Sequence, residues 1–564
     1  MRKSCLLVLV LIGFTSLCTA TESEGEASPQ TPSEKLEELF FEWNRIDRPG
    51  GSVVVVKDGE IVFRKGYGLS SLELRTENSD GTVYDVASIA EPFTATAIIM
   101  LEYEGKLSLD DPVTKHVSGL PEFANAITLK HLLHHTSGLW DWRTVYQACG
   151  GYLEDVITWQ LILGLVGQQS SPQFNPGTRF EYSPTNYALL AETVQHVTDQ
   201  SFRDWAWEHI FRPLGMTRSL IRDQRGESIE NCAQAYDYAR MRGYRSGTAN
   251  LSLPGAHCLY SSVADMEGWL LQLQSPEEEF AAVVNRLLSP GHLNNGDTLS
   301  YGYGLYKDSH NGQTRYRASG QWQGFNSAFH YYPDQSLGII ILCNWVSGWV
   351  NPTNQATQIA AIFLEEPASE QEELSTPSTE DSTDFAADPA LFAQYLGDYR
   401  WEPGDVFAIV QDGDQLYYQY APGGTLPMTA LSNTRFVLTG YDYFFTFQRD
   451  DAGHYVQCLI EHEGDEDVVA PMIELVTPSP DELQSFVGDY RCEQLGVLYS
   501  LALQEGSLVL THRRMPDVAL SPEAQDNFNA RSHAFRMVEF VRNEHGDVTG
   551  LKIDTLDMTF GRVN

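Results

Sequence analysis

Ala87-Ser88-Ile89-Ala90-Glu91-Pro92-Phe93-Thr94-Ala95 is the stretch on which the fold turns. It sets a serine at the head of an apolar helix that runs on through Ala97, Ile98 and Leu101. Pro92 falls in the first turn, where a missing N–H costs little. Taken alone, Ser88-x-x-Glu91 is also the pattern of a helix capping box. Upstream, Val53 to Lys57 reads as a strand, Asp58-Gly59 as a tight turn, and Ile61-Val62-Phe63 as the return strand of a hairpin. Far downstream, Pro333-Asp334 precedes another apolar strand, Leu337 to Leu342, with Cys343 beside it as a free core thiol. Strands at both ends of this region and helices between them predict a sheet built from both ends of the chain.

Other short blocks follow Ser88 in order. They are Gly105-Lys106-Leu107-Ser108-Leu109-Asp110-Asp111-Pro112, His131-Leu132-Leu133-His134-His135-Thr136-Ser137-Gly138-Leu139, Pro176-Gly177-Thr178-Arg179-Phe180 with Tyr182-Ser183, Pro213-Leu214-Gly215-Met216-Thr217, and Tyr260-Ser261-Ser262-Val263-Ala264-Asp265. With the Ser88 segment they resemble the serine β-lactamase and penicillin-binding-protein superfamily, most closely its class C β-lactamase-like branch, over residues 35 to 362. The resemblance implies an α/β domain: an antiparallel sheet flanked by helices, with a helical subdomain between. It also implies three motifs: S-x-x-K, whose serine attacks a carbonyl and whose lysine helps take its proton; Y-x-N, whose tyrosine shares that work; and K-T-G or H-x-G on a strand.

This chain departs from all three motifs. Glu91 stands for the lysine, Pro184 for the asparagine in Tyr182-Ser183-Pro184, and Ala318 for the basic residue in Ala318-Ser319-Gly320. Arg317 is one position away, which on a strand is the other face. By resemblance, Ser88 and Tyr182 keep their places as catalytic residues, and the backbone N–H groups of Ser88 and Gln321 form the oxyanion hole. An anion at Glu91 disfavours the Tyr182 phenolate, whereas the family's lysine favours it. Glu91 is then itself the candidate base. The reading is a serine hydrolase-like protein with impaired acyl-serine chemistry on amides or esters, such as D-amino-acid peptides or β-lactams. The alternative is a silent relative, a pseudoenzyme that binds cell-wall-like peptides or a protein partner in the old cleft. His134 and His135 read as packing residues, Ser262-x-x-Asp265 as a helix cap, and Trp140, Trp142, Tyr152 and Trp322 as core or cleft rim. The run from Glu461 to Asp467 reads as solvated charge rather than a metal cluster. No cofactor and no metal are expected.

The whole chain has 564 residues and a formal net charge of −39, which disfavours nucleic acid and anionic membranes. Arg2 and Lys3, the apolar run Leu6 to Leu17, and Ala20 read as a cleaved signal peptide over 1–20, so a secreted or periplasmic protein is expected. Bulky Leu17 argues against a lipid anchor at Cys18. Residues 21–30 read as a tether, 31–364 as the large domain and 365–388 as an acidic linker. Tyr395-Leu396-Gly397-Asp398-Tyr399-Arg400 is echoed by Phe486-Val487-Gly488-Asp489-Tyr490-Arg491. Short alternating strands surround both copies, which predicts two similar β-barrel-like domains over 389–478 and 479–564. The three-part layout resembles D-aminopeptidases of the superfamily. The function could also reside in the barrels, with the large domain as scaffold.

Overall fold

The computed structural model describes residues 31–239, 243–247, 250–346, 351–364, 385, 387–402, 405–420, 424–438, 443–462, 467–530, 532, 534–554 and 556–563. The expected signal peptide, tether and nearly all of the acidic linker lie outside them.

The large domain is built on one antiparallel sheet. Its strands are β1 (Gly51–Lys57), β2 (Glu60–Tyr67), β3 (Pro290–His292), β4 (Thr298–Gly302), β5 (Tyr306–His310), β6 (Gln313–Trp322), β7 (Phe325–Tyr332) and β8 (Leu337–Cys343). Their order across the sheet is β3-β4-β5-β6-β7-β8-β1-β2. The expected hairpin is there: Asp58 and Gly59 both take positive φ, at 54° and 78°, as a two-residue turn matched to strand twist requires. β8 pairs with β1, from Gly51↔Cys343 to Lys57↔Leu337, so the first and last strands of this sheet in the chain lie side by side, one strand in from its β2 edge. Val53–Val56 and Leu337–Cys343 are wholly buried because helices cover both faces.

The helix after Ser88, α1 (Glu91–Tyr103), is buried on nearly every side, through Phe93, Ala95, Ala97, Ile98, Ile99 and Leu101. A helix apolar all round belongs in the middle of a domain. It packs against α2 (Pro184–Thr198), whose first residue is Pro184. Ser262 caps the helix Val263–Gln274 by accepting from the Asp265 N–H, as its sequence predicts. Cys343 is a buried free thiol.

Two closed eight-stranded barrels follow, with strands between Gly397 and Ile473 and between Gly488 and Val563. The sequence echo has a physical counterpart. Tyr399 donates its hydroxyl to the Tyr395 carbonyl at 2.8 Å, and Tyr490 donates to the Phe486 carbonyl at 2.7 Å. Each barrel is entered through the same tyrosine lock. Aromatic and aliphatic side chains fill both interiors. Arg400 of the first barrel meets Glu523 of the second at 2.6 Å. The second barrel also docks on the large domain and shares one hydrophobic cluster with it. Among the described residues no helix is long and apolar enough to cross a membrane.

Candidate active site

Ser88 sits in a single 3-10 turn, Ala87–Ala90, that runs directly into α1. It does not cap the helix: no side chain caps either element. The capping-box alternative fails because the Glu91 side chain turns inward. Ala87 takes the left-handed conformation, φ 49°, which is costly for a residue with a Cβ. Asp85 supports it by accepting the Ala87 N–H at 2.9 Å.

Strand β6 brings Ala318-Ser319-Gly320-Gln321 alongside this turn. At Gly320 a Cβ would lie 2.5 Å from the Val86 carbonyl oxygen and 2.7 Å from the Ser88 nitrogen. Only glycine lets strand and turn approach this closely. Ala318 is buried, whereas Arg317 points the other way, onto Asp308 at 2.6 Å and over the Tyr306 ring.

Glu91 is 2% exposed and is the hub of the site. Its Oε1 lies 2.7 Å from the Tyr182 hydroxyl. Its Oε2 lies 2.7 Å from the Tyr301 hydroxyl and 3.4 Å from His135 Nε2. The His135 tautomer follows from its other nitrogen. Nδ1 accepts from the Ser183 N–H at 3.3 Å and faces the Asn186 amide nitrogen at 3.0 Å. The ring proton is therefore on Nε2 and is directed at Glu91. Ser137 fixes Asn186 by donating to its Oδ1 at 2.6 Å.

Tyr182 Oη is also 3.0 Å from Ser88 Oγ. A phenol has one proton to give, and the shorter contact is to the carboxylate. The consistent assignment is Ser88 donating to Tyr182 and Tyr182 donating to Glu91. Burial, and then the Glu91 charge, hold Tyr182 well above its ordinary pKa. Arg143 pulls the other way, with its guanidinium 6.0 Å from the Tyr182 ring centroid and held bidentately by Asp141.

The structure brings Ser88, Tyr182 and Glu91, the three side chains expected to meet, within hydrogen-bond reach of one another. Tyr301, Asn186 and Arg143 carry no signal in the sequence that would place them here, and His135 reads there as packing. His135 does pack, against Tyr182, Tyr187 and Tyr301, but it also contacts Glu91. The available signal was the departure itself: a buried carboxylate needs donors, and the His131–Leu139 block was the nearest source of one. Pro184 starts α2 and leaves Asn186, two residues on, to face His135.

A cleft of about 1300 Å³ opens beside Gln321. Arg143, Tyr152 and Trp322 line one side, and Met515, Pro516 and Val518 of the second barrel line the other. Trp140 and Trp142 are core residues instead.

The Beta-lactamase family model matches residues 36–362. The chain belongs to the beta-lactamase family. Among beta-lactamase-family relatives, penicillin-binding protein 4* of Bacillus subtilis (strain 168) is 26% identical over 461 residues, covering 78% of this chain and 99% of that protein. The D-aminopeptidase of Gluconobacter oxydans (strain 621H) is 25% identical over 494 residues, covering 85% and 89%. The solved structure of the octameric penicillin-binding protein homologue from Pyrococcus abyssi shares the fold, with a TM-score of 0.54 and 24% identity over 78% of this chain and 99% of that one.

Proposed function

We propose that the chain is an exported, slow acyl-serine hydrolase of amides or esters, in which a Ser88–Tyr182–Glu91 relay replaces the lysine-based machinery of the family. The observation that carries this reading is the run of three oxygens, Ser88 Oγ to Tyr182 Oη at 3.0 Å and Tyr182 Oη to Glu91 Oε1 at 2.7 Å. As Ser88 attacks a carbonyl carbon, its proton passes to Tyr182 while the Tyr182 proton passes to Glu91. Tyr182 never becomes a free phenolate, which its burial would oppose. The oxyanion forms against the N–H groups of Ser88 and Gln321. On collapse the leaving amine or alkoxide takes the proton back along the same path. Water then repeats the sequence on the acyl-serine.

The relay runs through a buried phenol held well above its ordinary pKa, with no lysine at position 91 to draw its proton off, so proton transfer from Ser88 is less well assisted than in the family. Slow turnover is therefore expected. The layout of the D-aminopeptidase and penicillin-binding relatives favours D-amino-acid peptides or β-lactam-like acyl donors. The apolar run from Leu6 to Leu17 behind Arg2 and Lys3 supports export.

Intact-mass measurement after incubation with a fluorophosphonate or a β-lactam tests the proposal. One covalent adduct, lost in Ser88→Ala, is expected. No adduct at high reagent concentration would sink the hydrolase reading and leave a binding protein.

A further inference from the structure

The second barrel meets the large domain at one compact patch. The helix Trp142–Ala148 ends there at Cys149, and the strand Gly488–Cys492 ends there at Cys492. Tyr499, on the adjacent strand where Cys492 pairs with Val497, donates its hydroxyl to the Ala148 carbonyl at 2.5 Å. Gly150 lies so near the barrel that a Cβ there would be 2.4 Å from the His512 ring. Arg514 pairs with Asp155 at 3.0 Å, and Gln494 reaches Ser170. Cys492 belongs to the hydrophobic cluster that spans the two domains, and Cys149, partly buried, packs against it. Burial raises the Cys149 thiol to about 11, and Cys492 adds to that rise. Burial also raises Tyr499, with Cys149 and then Cys492 contributing. Cys149 directly follows the Ala148 carbonyl that Tyr499 reaches, and Cys492 pairs with Val497, two residues before Tyr499, so the two cysteines flank one phenol across a domain boundary. The other described cysteines are engaged within their own segments: Cys232, Cys258, Cys343 and Cys458 point their thiols at the carbonyls of Ala233, Leu251, Trp345 and Leu459.

We propose that Cys149 and Cys492, free thiols in this structure, form a reversible disulfide that latches the second barrel onto the large domain. The latch fixes the distance between Arg143 on one wall of the cleft and Met515 to Val518 on the other, because helix Trp142–Ala148 carries Arg143 to the bond. The chemistry is thiol–disulfide exchange. One cysteine thiolate attacks an external disulfide such as oxidised glutathione and releases one glutathione thiol. The second cysteine displaces the other glutathione from the mixed disulfide, so two protein thiols become one disulfide and one external disulfide becomes two thiols. Operation in the cell rests on the proposed export into an oxidising compartment. The bond itself does not, and neither does it depend on any reactivity of Ser88.

The test is disulfide mapping of the purified full chain, equilibrated in oxidised glutathione, acid-quenched, alkylated and digested. The expected result is one linked peptide pair holding Cys149 and Cys492, lighter by two hydrogens than its separated thiol peptides and lost on reduction. Cys492→Ser and, independently, Cys149→Ser should each abolish the pair. Hydrogen exchange at 512–521 should be slower in the oxidised chain than in the reduced chain or in either variant. Both cysteines fully alkylated after oxidation, or either one linked elsewhere, would overturn the latch. Mapping without any change in exchange would overturn its role at the cleft. If Ser88 proves unreactive, all these readouts remain.

Discussion

Glu91→Gln is the sharpest probe of the relay. Glutamine keeps the volume and one acceptor oxygen but cannot take up a proton. Two effects then compete. Removing a unit charge 2.7 Å from the Tyr182 hydroxyl eases its ionisation by about 6 kcal/mol at an effective dielectric of about 20. Losing the terminal base costs a factor of about 10²–10⁴, or about 3–5 kcal/mol in the barrier. Burial is the larger cause of the Tyr182 elevation and survives the substitution, so the phenol stays neutral and the loss of the base wins. The assay is the second-order rate of fluorophosphonate adduct formation at Ser88, followed by intact mass, with circular-dichroism melts to confirm the fold. The rate should fall by about 10²–10⁴ in Glu91→Gln. Tyr182→Phe should fall by a similar amount, and the double variant no further, because the two residues act in series. A folded Glu91→Gln protein that labels as fast as wild type, or faster, would refute the relay.

Glu91→Lys, which restores the family residue alone, should destabilise the fold by about 3–5 kcal/mol in urea melts, because it buries a cation against the His135 Nε2–H and without a carboxylate partner. Gly320→Ala should cost about 1–3 kcal/mol and abolish labelling, since the new methyl must displace the turn that holds the Ser88 nitrogen. Burial pushes the Asp85 carboxyl from 3.8 up to about 6, against the pull of the Ala87 N–H and Arg222. The folded state thus holds this proton more tightly than the unfolded chain, and the stability it contributes is full below pH about 3.8 and lost as pH rises through about 6. Relative to wild type, Asp85→Asn should therefore gain about 2 kcal/mol between about pH 4 and 8 in paired urea melts; no pH-dependent difference would contradict that sign.

Most of the architecture was legible in the sequence because it rests on local signals. The Asp58-Gly59 turn, the Ser262 cap and the repeated tyrosine segments each act within a few residues. The position of Ser88 was legible from the order of its neighbouring blocks. The environment of Glu91 was not, because its partners, Tyr182, Tyr301 and His135, come from three separate segments. Tyr301 arrives on β4, which approaches α1 closely only because Gly304 has no Cβ to strike Pro92. His135 comes from a turn 44 residues downstream. No periodicity records such meetings. Arg143 was hidden for a different reason: its place beside Tyr182 exists only once helix Trp142–Ala148 is docked.

The pairing of β1 with β8 also sets a timetable. A strand ending at Lys57 must wait for one beginning at Leu337, and the Ser88 turn leans on Gly320, which is made 232 residues after it. Contacts of such long range form slowly, and only after intervening segments have organised. The nascent chain therefore carries Ser88 without its Gly320 neighbour until more than half of the chain is made. The assembled Ser88 turn is a late product of folding, formed when the chain has committed to its native topology.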